Sequence, residues 1–396
     1  MIFRYKAINS TGQIIEGFHD GNSEEDVIAM LKDNDNTVIL VERDVEAIEL
    51  FPAKVKKKDL AVFCRQFYTM LDSGLGIVKC LDILGIQSEN KTLRKTLIAV
   101  NENVQKGLVL SEAMKQHPNI FPTILVSMVA AGEVSGNLDT IMDRMATHFE
   151  KENKIEAKIK SAMVYPTILA IISVLVVIFM LIVVLPTFIG MFGGIDATLP
   201  KPTRILLSIS NSMQSHWYLY GIGLVSMLGG IKLFVRSKLG RYIFDSIKLK
   251  LPIIKNSTAK IITSRFSRTL STLMSAGIPL IQSMEVVSKV VDNVVVEESL
   301  MASIDSIRKG MPLSRAIKNI KIYPPMVEAM IKIGEESGSL DEILFKTADF
   351  YDQEVEEAVT RATSLLEPLM IVVMGLIIGF LVIAMYLPMF EIMSTM

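Results

Sequence analysis

From Ser161 to Ile195 the chain carries no Asp, Glu, Lys or Arg. Within it, Thr167–Leu185 is an apolar run of about the 20 residues that cross a bilayer core as a helix. A second uncharged stretch, Pro368–Phe390, is as long. In a hydrocarbon layer every backbone polar group must be satisfied internally, so such segments fold as helices. Between them, Trp217–Val235 is a third candidate. Its Lys232 lies near one end, where a lysine can snorkel to the headgroups, and Trp217, Tyr218 and Tyr220 at the other end suit an aromatic belt.

The rest of the composition fits a membrane protein. Half of the 396 residues are hydrophobic, 21% are charged, and the net charge of −1 gives no field for nucleic acid. Lys and Arg placement sets the orientation. Lys151, Lys154, Lys158 and Lys160 precede the first span. Arg236, Lys238, Arg241, Lys248, Lys250 and Lys255 follow the second, whereas the connection between the two carries only Lys201 and Arg204. The expected order is a small module at 1–50, a basic linker at 51–58, a cytoplasmic helical domain at 59–164 and a span at 165–189. A periplasmic loop at 190–216, a span at 217–235, a second cytoplasmic domain at 236–366, a span at 367–390 and a periplasmic tail at 391–396 complete it. The N-terminus is expected in the cytosol, because its first residues show no signal-peptide pattern.

The two cytoplasmic segments repeat one another. Arg65–Gly74 aligns with Arg268–Gly277. Lys106–Lys115 and Lys309–Lys318 share six of ten residues, and Gly132–Asp139 shares six of eight with Gly334–Asp341. The pairing continues at constant spacing through Phe149 and Tyr351, Pro166 and Pro368, and Leu185-Pro186 and Leu387-Pro388. Chance does not hold a register over such a length. One unit is a bundle of about six helices plus the span that follows it. In the first, Leu60, Phe63, Phe67, Met70 and Leu71 form an apolar stripe at helical spacing, with Leu81 and Leu84 opening the next. Gly74, Gly107 and Gly132 suit helix ends, and Ser339 with Glu342 reads as a capping box. Pro166 and Pro368 are expected near the first turn of their spans, and Pro186 and Pro388 at kinks or ends. In 1–50, alternating and β-branched runs at 3–7, 13–17 and 37–41, a turn near Thr11-Gly12 and a capped helix at 23–32 predict a β-β-α-β module. The fold class is therefore mainly α: a polytopic membrane protein with two homologous cytoplasmic helical bundles, three transmembrane helices and a small N-terminal α+β module.

Chemistry-bearing motifs are absent from the sequence. There is no P-loop, HExxH or GxSxG. Cys64 and Cys80 read as core residues, and His19, His117, His148 and His216 as surface or linker positions. No catalytic residue, cofactor or metal ligand is expected. Glu133 and Glu335, in the two Gly-Glu-x-Ser-Gly turns, read first as parts of a helical corner and second as partner or dimer contacts. Glu150, Glu152 and Glu156, with Glu354, Glu356 and Glu357, read as a solvated face, with a cation site between subunits as the second reading. Gly375 and Gly379 form a GxxxG that permits close helix packing, and Glu367 reads as interfacial or turned into the bundle.

This combination resembles the inner-membrane platform protein of type IV pilus and type II secretion machines. The family's span signature is matched by Lys158-Ile159, Ala162-Met163, Tyr165-Pro166 and Val184-Leu185-Pro186. The doubled Gly-Glu-x-Ser-Gly and Glu367-Pro368 also match, and the first fifty residues are similar to the extra module many members carry. The resemblance implies a noncatalytic hub in the bacterial inner membrane that contacts a hexameric cytoplasmic ATPase and other assembly proteins. It would help move pilin subunits, or pseudopilins in the secretion variant, and act as a homo-oligomer, a dimer being favoured. Arg65, Glu133, Glu150, Arg268, Glu335 and Glu367 are the residues expected at partner or dimer contacts. Pro166, Pro186, Pro368, Gly375, Gly379 and Pro388 are those expected in membrane packing. A small transporter is the remote alternative; it would need ionisable or broken-helix positions at mid-membrane.

Overall fold

A computed structural model describes residues 2–8, 14–20, 23–34, 36–43, 53–190 and 200–395. The chain divides into two compact units, Met1–Ala146 and Thr147–Met396.

The first unit opens with the small module. Strands β1 (Ile2–Ile8), β2 (Ile14–Asp20) and β3 (Thr37–Arg43) form an antiparallel sheet in the order β2-β1-β3. Helix α1 (Glu24–Asp33) starts where the Ser23 hydroxyl accepts from the Asp26 N–H at 3.2 Å. Ala7, Val27, Leu31 and Val41 are its core. The turn expected at Thr11-Gly12 lies outside the described residues.

Helices α2 (Lys57–Asp72), α3 (Ile77–Gln87), α4 (Lys91–Gln105), α5 (Leu110–Lys115) and α6 (Thr123–Ser135) follow, then the long α7 (Leu138–Phe179). Leu60, Phe63 and Phe67 are buried as their spacing predicts, and the Phe63 ring lies 5.7 Å from Phe67 and 6.1 Å from Phe121. Met70 and Leu71, at the end of the stripe, are only half-buried. Cys64 and Cys80 are both buried free thiols, and burial pushes the Cys64 thiol well above its usual range.

In the second unit, α7 continues through a π-helical turn (Met180–Val184) into α8 (Leu185–Gly190). Segment 190–216 is not a plain loop. It carries α9 (Lys201–Ser215), whose Leu206 packs with Leu181, Leu185, Leu381, Ala384 and Met385. Next come α10 (Trp217–Arg236) and α11 (Lys238–Lys250). The second bundle is α12 (Pro252–Ser275), α13 (Leu280–Val290), α14 (Val294–Arg308), α15 (Leu313–Lys318), α16 (Pro325–Ser337) and α17 (Leu340–Thr395). Its core includes Phe266 and Tyr323, with ring centroids 4.8 Å apart.

Among the described residues, three helical segments are long and apolar enough to cross a membrane: Leu138–Gly190, Trp217–Arg236 and Leu340–Pro388. Neither outer span starts afresh. Pro166 and Pro368 sit in the interiors of α7 and α17, not near a first turn, because each bundle's last helix runs into the span without a break. Pro388 is also interior, and α17 carries on to Thr395, so residues 391–395 are helical. Pro186, by contrast, follows a locally widened π turn.

Candidate functional site

The Gly-Glu-x-Ser-Gly corners are built alike in the two copies. Gly136 and Gly338, with φ of 74° and 71°, cap α6 and α16 in the left-handed conformation that favours glycine. Gly132 and Gly334 are not helix ends, contrary to the expectation for Gly132. Each lies inside its helix, where the next helix passes so close that an added Cβ would meet Leu138 Cα at 3.2 Å or Leu340 Cα at 2.9 Å. Closing the turn uses the Ser339 N–H, which donates to the Gly334 carbonyl. That donor is thus not left for a capping box, and Glu342 accepts from Lys346 at 2.7 Å instead.

Between the two glycines the glutamates turn inward. Glu133 accepts from the Leu110 N–H at 2.5 Å, the Ser111 N–H at 3.1 Å and the Ser111 hydroxyl at 2.5 Å. Glu335 repeats this with the Leu313 N–H, the Ser314 N–H at 3.2 Å and the Ser314 hydroxyl at 2.6 Å. One carboxylate thereby satisfies otherwise orphaned donors at the start of a short helix and fastens it to the corner.

The equivalent arginines differ. Arg65 pairs with Asp143, and both side chains are more than a third exposed. Arg268 is buried and holds Asp349 at 2.8 Å as well as Asp352, which also accepts from the Ser264 hydroxyl.

Around Arg268 a layer of charge lies on α7, α12 and α17 just ahead of the apolar segments. Lys151 pairs with Asp349 at 3.2 Å, and Lys154 and Lys158 reach Glu356 at 2.9 and 3.3 Å. Arg265 lies 4.0 Å from both Glu152 and Glu156, Lys260 pairs with Glu354, and Arg361 with Glu357. Burial works to raise the Asp349 carboxyl, but the hydrogen bonds from Arg268 and Lys151 outweigh it and hold it below its ordinary 3.8. For Glu356 the Lys154 hydrogen bond leads in depressing the pKa, against a smaller opposing effect of burial. Among the described residues no group of three or more metal-ligating side chains is placed to hold an ion. Glu150 is exposed, and Glu367 is exposed and accepts from the Tyr165 hydroxyl at 3.1 Å.

His148 corrects a sequence expectation. It is buried, its ring edge-on to Phe149, because it falls on the α7 face that also carries Met145, Glu152 and Ile155.

Sequence reasoning also missed α9. In α7, Leu185 N–H bonds Met180 O in π register, so Pro186, lacking an N–H, leaves Leu181 O without its donor. Ser210 donates to Leu181 O at 2.5 Å, and Gln214 to Ile182 O at 3.2 Å. In α17, Pro388 similarly leaves Ala384 O, and the Thr203 hydroxyl donates to it. The two Leu-Pro pairs were the available signal for orphaned carbonyls; nothing in the sequence said which donors would reach them.

The repeated architecture has known relatives. The model of the family described as type II secretion system (T2SS), protein F, matches twice, at residues 63–186 and 266–388. The chain belongs to this family. Its two matches coincide with the two copies read from the sequence, each ending at a Leu-Pro. Relatives align over most or all of the chain. A type IV pilus assembly protein PilC of Thermus thermophilus is 36% identical over 402 residues, covering 100% of this chain and 99% of the relative. One of Myxococcus xanthus is 36% identical over 85% of this chain and 81% of its own. A type II secretion system protein F of Vibrio cholerae is 32% identical, covering 100% and 99%.

Proposed function

We propose that the chain is the noncatalytic inner-membrane platform of a type IV pilus assembly machine, coupling a hexameric cytoplasmic ATPase to insertion or extraction of pilin subunits. The observation that carries this reading is mechanical. In a family member with a doubled unit, each bundle ends in a helix that is also a span, α7 and α17. A force applied to a bundle has a continuous helix along which to reach the membrane. The pilus reading stands ahead of secretion because several relatives named for type IV pilus assembly are 35–36% identical, whereas those named for type II secretion are 27–32%.

In this reading both bundles lie in the cytosol, the α8–α9 connection faces the periplasm, and the C-terminus ends on that side, as the lysine and arginine distribution supports. The protein works as a homo-oligomer. Arg65, Glu150 and Glu367 keep accessible positions and are the candidate contact residues, while Glu133 and Glu335 hold the corners and Arg268 is buried in the charge layer.

Deletion of the gene in its host, with surface fibres and secreted enzymes measured side by side, tests the proposal. Loss of fibres with normal secretion is expected. Loss of secretion alone would move the chain to a type II secretion system, and loss of neither would reject the platform role.

A further inference from the structure

Helix α11 begins at Lys238, with the single residue Ser237 between it and the end of α10 at Arg236. Its first turn is fixed there: the Ser237 hydroxyl accepts from the Gly240 N–H at 3.1 Å, and a Cβ on Gly240 would lie 1.9 Å from the Phe234 carbonyl oxygen. One side of α11 is committed to the protein. Asp245, the only acid on the helix, is buried, accepts from the Val294 N–H at 3.1 Å and pairs with Lys248 at 3.2 Å.

Another face is uncovered and apolar. Leu239, Ile243 and Ile247 follow one another at four-residue intervals, and Leu251 extends the line. They are 67%, 39%, 46% and 45% exposed, with Phe244 beside them at 44%. So large an exposed stripe marks an interaction surface. Cations stand at both of its ends: Arg236 and Lys238 at the start, Lys250 and Lys255 at the finish. None of these four makes an ion pair among the described residues.

We infer that α11 lies in the membrane surface where α10 leaves the bilayer, its apolar stripe sunk at the boundary of headgroups and acyl chains and its terminal cations on anionic phospholipid. The inference rests on α10 being a span, which is independent of what the machine transports. Continuity fixes the occupant: one residue spans under 4 Å, so α11 starts at the level of the headgroups. Charge agrees, since an apolar face flanked by lysine and arginine is the pattern of interfacial helices. Each basic residue near an anionic leaflet strengthens the attraction.

The chain has a single tryptophan, Trp217, which makes a fluorescence test direct. Full-length protein carrying Trp217→Phe and Ile247→Trp is placed in nanodiscs of phosphatidylcholine, with or without phosphatidylglycerol. Leu239→Trp serves as a second reporter should the first fail to fold, and Val134→Trp, at a 92% exposed position, as the water-exposed control. The expected result is several-fold weaker iodide quenching than at position 134. Quenching by lipids brominated near the headgroup is expected to rise with phosphatidylglycerol, and Lys238→Gln with Lys250→Gln to reduce that rise. Iodide quenching equal to the control in both bilayers would overturn the inference, as would equal protection with and without the anionic lipid. Protection that appears only when a further protein is added would assign the face to that protein and reject the lipid.

Discussion

The Thr203 hydroxyl donates to the main-chain carbonyl of Ala384, the carbonyl whose helical donor Pro388 removes. On the other span, Ser210 and Gln214 serve Leu181 and Ile182 just ahead of Pro186. Pro186 and Pro388 are repeat equivalents, so one helix, α9, answers the proline defect in both copies and joins the two spans in doing so. Leu206, between those donors, packs with residues of both.

If the proline creates the need for the hydroxyl, the two must be energetically coupled. Thr203→Val should destabilise the protein by about 0.5–1.5 kcal/mol in detergent, the range for side-chain bonds between membrane helices. In a Pro388→Ala background, where the N–H returns, the same change should cost less. Additive effects in that double-mutant cycle would refute the pairing.

The glycine corners give an ordering. Gly334→Ala places a Cβ 2.9 Å from Leu340 Cα, and backbone cannot step aside; Gly132→Ala meets Leu138 Cα at the less severe 3.2 Å. Overpacking of this kind costs about 1–3 kcal/mol. Thermal unfolding should therefore show Gly334→Ala as the more damaging change, and the reverse order would contradict the geometry.

Equivalent arginines should respond unequally. Arg65→Ala breaks an exposed pair and should cost under about 1 kcal/mol. Arg268→Ala leaves the mostly buried Asp352 without its cation and Asp349 with Lys151 alone, a loss of about 3–5 kcal/mol. Comparable melting temperatures for the two variants would show that the Arg268 cluster is solvated.

Acid should loosen the layer ahead of the membrane. The folded Asp349 carboxyl titrates below its ordinary 3.8, so its contribution is complete above that value and is lost as pH falls beneath it. Melting temperature against pH should drop there, and Asp349→Asn should flatten part of the drop. An unchanged profile in the variant would exclude Asp349 as a contributor.

Much of this protein was legible without coordinates. Helical and apolar periodicity are local properties, so the spans, the stripe at Leu60, Phe63 and Phe67, and the repeat could be read from residue order alone. Segment ends could not. Pro166 and Pro368 looked like helix starts because proline suits a first turn, but packing on both sides carried one helix straight through. Gly132 looked like a cap because glycine serves two needs, and only the approach of the following helix shows that it is there for closeness. His148 reads as a surface position by its polarity, and Glu133 and Glu335 read as corner residues whose partners the sequence does not name. Which way a polar side chain turns depends on donors and apolar neighbours brought from 20 or more residues away, as the Glu133 bonds to Leu110 and Ser111 show. The sequence by itself determined the doubled unit, the membrane-crossing segments and the family. Only the tertiary structure decided that both Leu-Pro defects are mended by α9, because hydrogen-bond partners 29 to 181 residues apart are set by packing and not by neighbours in the chain.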